Sequence, residues 1–303
     1  MSVGMSRNGE GRRMRQLDTR TADFQTQRKR LLRLAYRMLG SVSEAEDAVQ
    51  DAWLRWDQAK TGIDAPAAYL TRIVTRLCLD RLKSAQARRE TYVGPWLPDP
   101  LMDPVEPDET IADDITLTLM LAMERLSPLE RAAFLLHDVF DVALTEVAAT
   151  LGREPAAVRQ LAFRARKHIQ TTRPRFNLGA AEADRIARAF FVAARDGDMT
   201  ALSMLLAKDV EIHTDGGGKV LAFRNIVRGV ENALRLFAGL RRKNAPPPTL
   251  LWTAMIDGLP GYISVDEAGL PHTTALDISE GQIVAIYIVR NPDKLAHLSA
   301  TPN

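Results

Sequence analysis

Cysteine is almost absent from this 303-residue chain: Cys78 is the only one. A lone cysteine makes no intramolecular disulfide and no cysteine-based zinc cluster, and in an apolar-periodic stretch it reads as a small buried hydrophobe. Also lacking is any run of about 18 apolar residues, the length that argues for a membrane span. The Arg- and Gly-rich residues 1–20 have no apolar centre of the kind a secretory signal carries. A disordered arm over residues 1–22 and a cytoplasmic protein are therefore expected. No charge of one sign dominates, since 40 Lys and Arg face 38 Asp and Glu. The total says nothing of partners; only the distribution of charge along the chain can. Neither a metal nor a cofactor is expected.

What is present divides into blocks, and the length suggests two or three domains at about 100–200 residues each. Residues 23–90 read as a helical domain. Leu31, Leu34, Ala35, Met38 and Leu39 recur at helical spacing. Ser43, with Glu46 three residues on, predicts the start of a second helix, whose apolar stripe is Ala45, Ala48, Val49, Ala52, Trp53 and Trp56. A third helix starts near Pro66 and carries Tyr69, Leu70, Ile73, Val74, Leu77 and Leu82. Residues 91–114 are rich in Pro and acids, with no Lys or Arg. Five prolines there forbid a continuous helix, so the stretch is a linker. Residues 115–173 are helical again, and Ser127-Pro128 with Glu130 marks a helix start. Residues 180–303 differ in kind: helices over 184–195, 199–207 and 230–240, and β-like runs over 210–214, 250–255, 262–265, 273–278 and 283–289, separated by Gly and Pro turns. That order predicts an α+β fold.

The sharpest signal lies at 144–168. Val147 and Leu151 face one core, and Ala148 is small where crossing helices approach. Gly152 sits where a turn needs positive φ, Pro155 starts a second helix, and Val158 and Leu161 point back inward. The other faces carry Arg159, Gln160, Arg164, Arg166 and Lys167, with no acid between Glu154 and Glu182. A helix-turn-helix of this composition enters the major groove with its N-terminal side chains, Ala156 among them, on base edges. Its C-terminal cations meet phosphates, which position without reading sequence.

Together the helical blocks resemble an extracytoplasmic-function RNA polymerase sigma factor. Glu46-Asp-Ala-Val-Gln-Asp-Ala-Trp53 is similar to that family's polymerase-docking helix. The resemblance implies that Asp47, Gln50, Asp51 and Trp53 meet the β′ clamp helices of core RNA polymerase. Residues 67–82 resemble the helix for the −10 promoter element, which implies DNA contacts for Arg72, Arg76, Arg81, Lys83, Arg88 and Arg89. Arg76 stands where many relatives have Asn, so base preference there is open. Residues 115–170 resemble the region that reads the −35 element and touches the β flap, with Glu154 where a Ser or Thr cap is common. The acidic linker resembles the segment that threads a basic polymerase channel.

The last block resembles the SnoaL-like or NTF2-like cone-shaped barrel. Three segments mark the subgroup that carries this domain fused to the factor: Trp96-Leu97-Pro98-Asp99-Pro100, Asp215-Gly216-Gly217-Gly218-Lys219 and Asn291-Pro292-Asp293-Lys294-Leu295. The resemblance implies that the domain regulates the factor in cis, with no separate anti-sigma factor required. It leaves open a small-molecule ligand in the cone. His213 and Asp215 lie two apart on a predicted strand and share a face, so an acid–base dyad is a rival reading, although no catalytic residue is expected. The other rival is a helix-turn-helix regulator with a small-molecule-sensing cone domain.

Overall fold

The computed structural model describes residues 7–59, 63–102, 116–169, 179–242 and 246–298. The chain divides into two compact units, one of Met1–Ala87 with Leu126–His168 and one of Arg88–Arg125 with Ile169–Asn303.

The first unit is helical throughout. It contains α1 (Arg7–Leu39), α2 (Val42–Asp57), most of α3 (Pro66–Glu90), α5 (Pro128–Phe134), a π-helical turn (Leu135–Val139), α6 (Leu144–Leu151) and α7 (Pro155–Ile169). The stripe predicted for α2 is buried at Ala45, Ala48, Val49, Ala52 and Trp56. On α3, Leu70, Val74 and Cys78 are fully enclosed, and burial pushes the Cys78 thiol up to about 12. The capping box of α5 is complete: the Glu130 amide donates to the Ser127 hydroxyl, and the Ser127 amide donates to the Glu130 carboxylate at 3.0 Å.

Two expectations change here. Residues 1–22 are not all arm, because α1 starts at Arg7 and runs on without a break. Its middle is tied down: Trp56 Nε1 donates to the Arg20 carbonyl at 3.0 Å, and Arg20 donates to the carbonyls of Asp57 and Ala59. Helix propagation from an anchored turn is cheap, and Arg-rich sequence favours it. Nor does Ser43 cap α2. The helix begins two residues earlier, with Ser41 at the cap position and no side-chain capping bond.

The second unit holds α4 (Leu117–Met123), α8 (Ala180–Asp196), α9 (Met199–Leu205), α10 (Val230–Arg242), α11 (Pro292–Leu295) and six strands. These are β1 (Leu206–Asp215), β2 (Val227–Arg228), β3 (Thr249–Ile256), β4 (Leu259–Val265), β5 (Pro271–Ser279) and β6 (Gln282–Val289). They form one sheet in the order β2-β1-β6-β5-β4-β3. Strands β1 and β6 run parallel and the other neighbours antiparallel. The α+β order matches expectation, but the expected barrel is not closed: among the described residues β2 and β3 are the edge strands of a cone-like open sheet. Closure needs a partner on both sides of every strand, and β2 pairs through only two residues.

Each face of the sheet has its own cover. One face packs Val210, Ile212, Leu276 and Ile286 against Phe190 of α8 and Phe237 of α10. The other presents Ala275, Ala285, Tyr287 and Val289, which lie against Leu97 of the linker, Leu117 of α4 and Leu295 of α11. Thus α4 joins the second unit, although it falls within the block 115–173 expected to be one domain. Its apolar side and the Leu117 amide, bonded to the Asp257 carbonyl at 2.8 Å, are both committed to the sheet. The linker is likewise partly built into that unit: Leu101 and Asp257 exchange hydrogen bonds, and Met102 bridges to Ile256. Residues 103–114, the rest of the expected linker, lie outside the described residues. Among the described residues no helix is long and apolar enough to cross a membrane, and no group of three or more His, Cys, Asp or Glu could hold a metal ion.

Candidate functional sites

On α2 the burial of one stripe turns the acidic side outward. Asp47 and Gln50 are exposed. Asp51 is half-engaged, since Arg81 Nη2 reaches its carboxylate at 2.7 Å. Trp53 packs against Phe24, with ring centroids 5.0 Å apart. Of the four residues expected to dock on a partner, Asp47 and Gln50 are exposed, while Asp51 and Trp53 are braced from behind.

On α3, Arg76 is exposed, its Nε reaching the Thr150 carbonyl at 3.4 Å, and Lys83 lies 3.8 Å from Asp80. Arg76, Asp80 and Lys83 line a hollow with Pro128, Leu129 and Arg153. The Arg72 Nε is buried and makes no hydrogen bond among the described residues. The side chains of Arg88 and Arg89 lie outside those described.

The helix-turn-helix has the predicted geometry. Gly152 ends α6 in the left-handed region at φ 62°, and the Arg153 amide returns to the Ala148 carbonyl at 3.0 Å, the bond pattern that closes a helix on a left-handed residue. Val147, Ala148, Val158 and Leu161 are buried; Ala156, Arg159, Gln160 and Lys167 are exposed. The sequence gives no sign that Arg164 and Arg166 are engaged, because their partners come from outside α7. Arg164 pairs with Glu130 at 2.9 Å and Arg166 with Asp138 at 2.6 Å. The Glu130 carboxyl is held below its usual range; its own burial opposes this, but the Ser127 bonds and Arg164 outweigh it. Sequence reasoning passed over Phe163, which is 65% exposed in the midst of these cations. Its signal was an apolar residue off the 158–161–165 stripe.

The second unit brings the three marked segments together at Asp215, which ends β1 on the linker-covered face with no solvent exposure. Its carboxylate accepts from the Tyr92 hydroxyl at 2.6 Å, the Leu97 amide at 2.9 Å, the Gly217 amide at 3.0 Å and Lys294 Nζ at 2.8 Å. Lys294 also donates to the Leu97 carbonyl and lies 4.2 Å from the centre of the Trp96 ring. Asn291 donates to the Tyr92 hydroxyl at 2.9 Å while its carbonyl oxygen caps α11 at the Asp293 amide. Burial and the bond to Asp215 push the Tyr92 hydroxyl far above its ordinary value. The glycines make room: a Cβ on Gly217, at φ 61°, would lie 2.3 Å from Asn291, and one on Gly216 would strike the Val220 carbonyl at 2.5 Å. Lys219 and Asp293 close the outside with an exposed ion pair. Trp96, Leu97, Pro98, Asp99 and Pro100 lie across the sheet, the last with its carbonyl bonded to His297. His213 does not join Asp215: it bonds Glu211 at 3.1 Å and stacks on Tyr287. No dyad forms, because every contact of the Asp215 carboxylate is already taken.

Comparison with known proteins places these features. Residues 24–88 match the model of Sigma-70 region 2, and residues 116–169 that of Sigma-70 region 4. The ECF RNA polymerase sigma factor SigJ of Mycobacterium tuberculosis is 38% identical over 292 residues, covering 90% of this chain and 92% of that one. A probable ECF RNA polymerase sigma factor of the same species, SigI, is 33% identical over 293 residues, covering 95% of this chain and 98% of its own. The crystal structure of SigJ superposes with a TM-score of 0.71 at 34% identity, covering 91% of this chain and 98% of that chain.

Proposed function

This chain belongs to the ECF RNA polymerase sigma factors and serves transcription initiation, and from that premise we propose how its parts share the work. Asp47, Gln50, Asp51 and Trp53 dock on the β′ clamp helices of core RNA polymerase, the last two held from behind by Arg81 and Phe24. Arg72, Arg76, Arg81, Lys83, Arg88 and Arg89 handle the −10 element, where strand opening requires capture of unstacked bases beside a basic helix. On α7, Ala156, Arg159 and Gln160 meet base edges of the −35 element, and Arg164, Arg166 and Lys167 hold phosphates; the same region touches the β flap. Since Arg164 and Arg166 are ion-paired in the free chain, phosphates must compete with Glu130 and Asp138 for them.

The C-terminal sheet domain regulates in cis. The observation that carries this reading is the buried Asp215–Lys294 pair, which holds Tyr92, Trp96 and Leu97 of the linker. A linker clasped on the sheet is not available to thread a polymerase channel, and tethering keeps the clasp at high effective concentration. No separate anti-sigma factor is required in this scheme. The domain acts by binding rather than by catalysis, since the carboxylate of the candidate dyad, Asp215, is sealed under the linker. The protein works in the cytoplasm, alongside polymerase and promoter DNA. The test is promoter-specific transcription with core polymerase. Asp215→Asn is expected to raise output by freeing the linker, while Asp209→Asn, at an exposed site on the same strand, leaves it unchanged. Equal output from the wild type and Asp215→Asn would sink regulation through the clasp.

A further inference from the structure

The face of the sheet opposite the linker holds a chamber of about 360 Å³ that none of these roles uses. Its floor comes from β4, β5 and β6 through Tyr262, Ser264, Thr274 and Ile288, and its wall from α8 and α10 through Phe191 and Phe237. Three consecutive prolines, 246–248, line it further. The volume lies in the range of small-molecule sites, which are mostly apolar with a few placed polar groups.

Two observations give the chamber's ligand a chemical class. First, its lip is apolar and open to water: Leu221 is 74% exposed, and Phe223 and Leu240 are exposed beside it. Large aliphatic and aromatic side chains gathered at the mouth of an apolar chamber mark a surface that something covers. Second, most polar groups of the interior are paired among themselves, while the buried His272 Nδ1 makes no hydrogen bond among the described residues. Ser264 Oγ and His272 Nε2 lie 2.8 Å apart, Arg290 binds Asp266 at 3.1 Å, and the Thr214 hydroxyl bonds the Phe223 backbone. The interior thus has no charge to spare. The mouth does: Arg195 and Arg241 both line it, and the one carboxylate of Asp196, hydrogen-bonded to Arg195, also lies within electrostatic reach of Arg241, which makes no ion pair of its own among the described residues.

We propose that this chamber is a binding site for an aromatic monoanion, whose rings lie among Phe191, Phe237 and Tyr262 and whose acidic group stands at the mouth beside Arg241. The aromatic floor and walls favour flat rings, which stack offset or edge-on against Phe and Tyr. Among the described residues two guanidiniums at the mouth share one carboxylate, and the net positive charge favours a ligand that carries a negative one. The proposal does not depend on regulation by the linker, which covers the other face.

The test uses two dyes with one ring system. 1-Anilinonaphthalene-8-sulfonate carries the negative charge and N-phenyl-1-naphthylamine lacks it. Each is titrated into the full chain and followed by fluorescence and calorimetry. One sulfonate dye is expected to bind per chain. Arg241→Met is expected to weaken it up to about fivefold, the range of an exposed ion pair, and to leave the neutral dye unchanged. Ala194→Trp, which fills the chamber, is expected to abolish both. Leu221→Glu changes an exposed lip residue that cannot cost the fold, and is expected to weaken the sulfonate dye more than the neutral one. Absent or non-saturable binding, preference for the neutral dye, or indifference of the sulfonate dye to Arg241→Met and Leu221→Glu would each overturn the proposal.

Discussion

Asp215 and Lys294 stand in a position where neither can be changed alone without loss. Both are buried, and desolvating two ions is repaid only when geometry and further hydrogen bonds are good; here four donors converge on one carboxylate. Removing one charge leaves the other buried without its partner in this pair. Asp215→Asn is expected to lower the stability of the second unit by about 3 kcal/mol, read as an earlier urea transition of the full chain. Adding Lys294→Met should restore most of it, because no ammonium is then buried opposite a neutral amide. A double variant as weak as the single would show that the pair's charge is not what matters. His272 allows a second test at this scale. Burial, with Arg290 nearby, pushes its imidazole down to about 4 from the ordinary 6.5, against a smaller upward pull from Asp266. The unfolded chain therefore takes up this proton near pH 6.5 and the folded chain only near pH 4. The resulting stability is complete above pH 6.5 and is lost as pH falls towards 4, about 3 kcal/mol at most. Between pH 7 and 5 the wild type should lose more stability than His272→Phe; parallel losses would refute it.

At the level of elements, α7 separates side chains that are free from side chains already engaged. Arg159, Gln160 and Lys167 meet water; Arg164 and Arg166 meet carboxylates. Arg159→Ala is expected to erase the preference for a promoter over a scrambled duplex, a difference of about 1–3 kcal/mol in binding. Lys167→Ala should weaken both duplexes alike and reduce the salt slope by about one. Equal, sequence-blind losses from both would contradict base reading by Arg159. The core of this element was legible because helical spacing decides which side chains are buried: Val147, Val158 and Leu161 were predicted inward and are inward. The ion pairs were not legible, because Glu130 and Asp138 lie 34 and 28 residues from Arg164 and Arg166 and periodicity within one helix carries no information about neighbours. The same limit hid the fate of α4. Its apolar run predicted a helix, but whether that side would meet other helices or a sheet depended on Ala275, Ala285 and Tyr287. The barrel was over-read for a related reason: strand runs show in alternation, while closure rests on how many residues of β2 find partners.

For the molecule as a whole, the linker joins the two promoter-binding blocks in sequence and also covers the sheet. Its two states are distinguishable by backbone protection. In the free chain the Leu97 amide is bonded to buried Asp215 and the Leu101 amide to Asp257, so both should exchange hydrogen slowly, at rates set by opening of the clasp. If the linker leaves the sheet to enter polymerase, binding of core enzyme must be coupled to that opening, and the opening cost is subtracted from affinity. Exchange at Leu97 and Leu101 is therefore expected to quicken on adding core polymerase. Asp215→Asn, with the clasp already loosened, should start fast and bind core more tightly. Protection at both amides that is unchanged by saturating core polymerase would mean the linker stays on the sheet throughout, and the sheet domain would then have to act from a fixed position rather than by release.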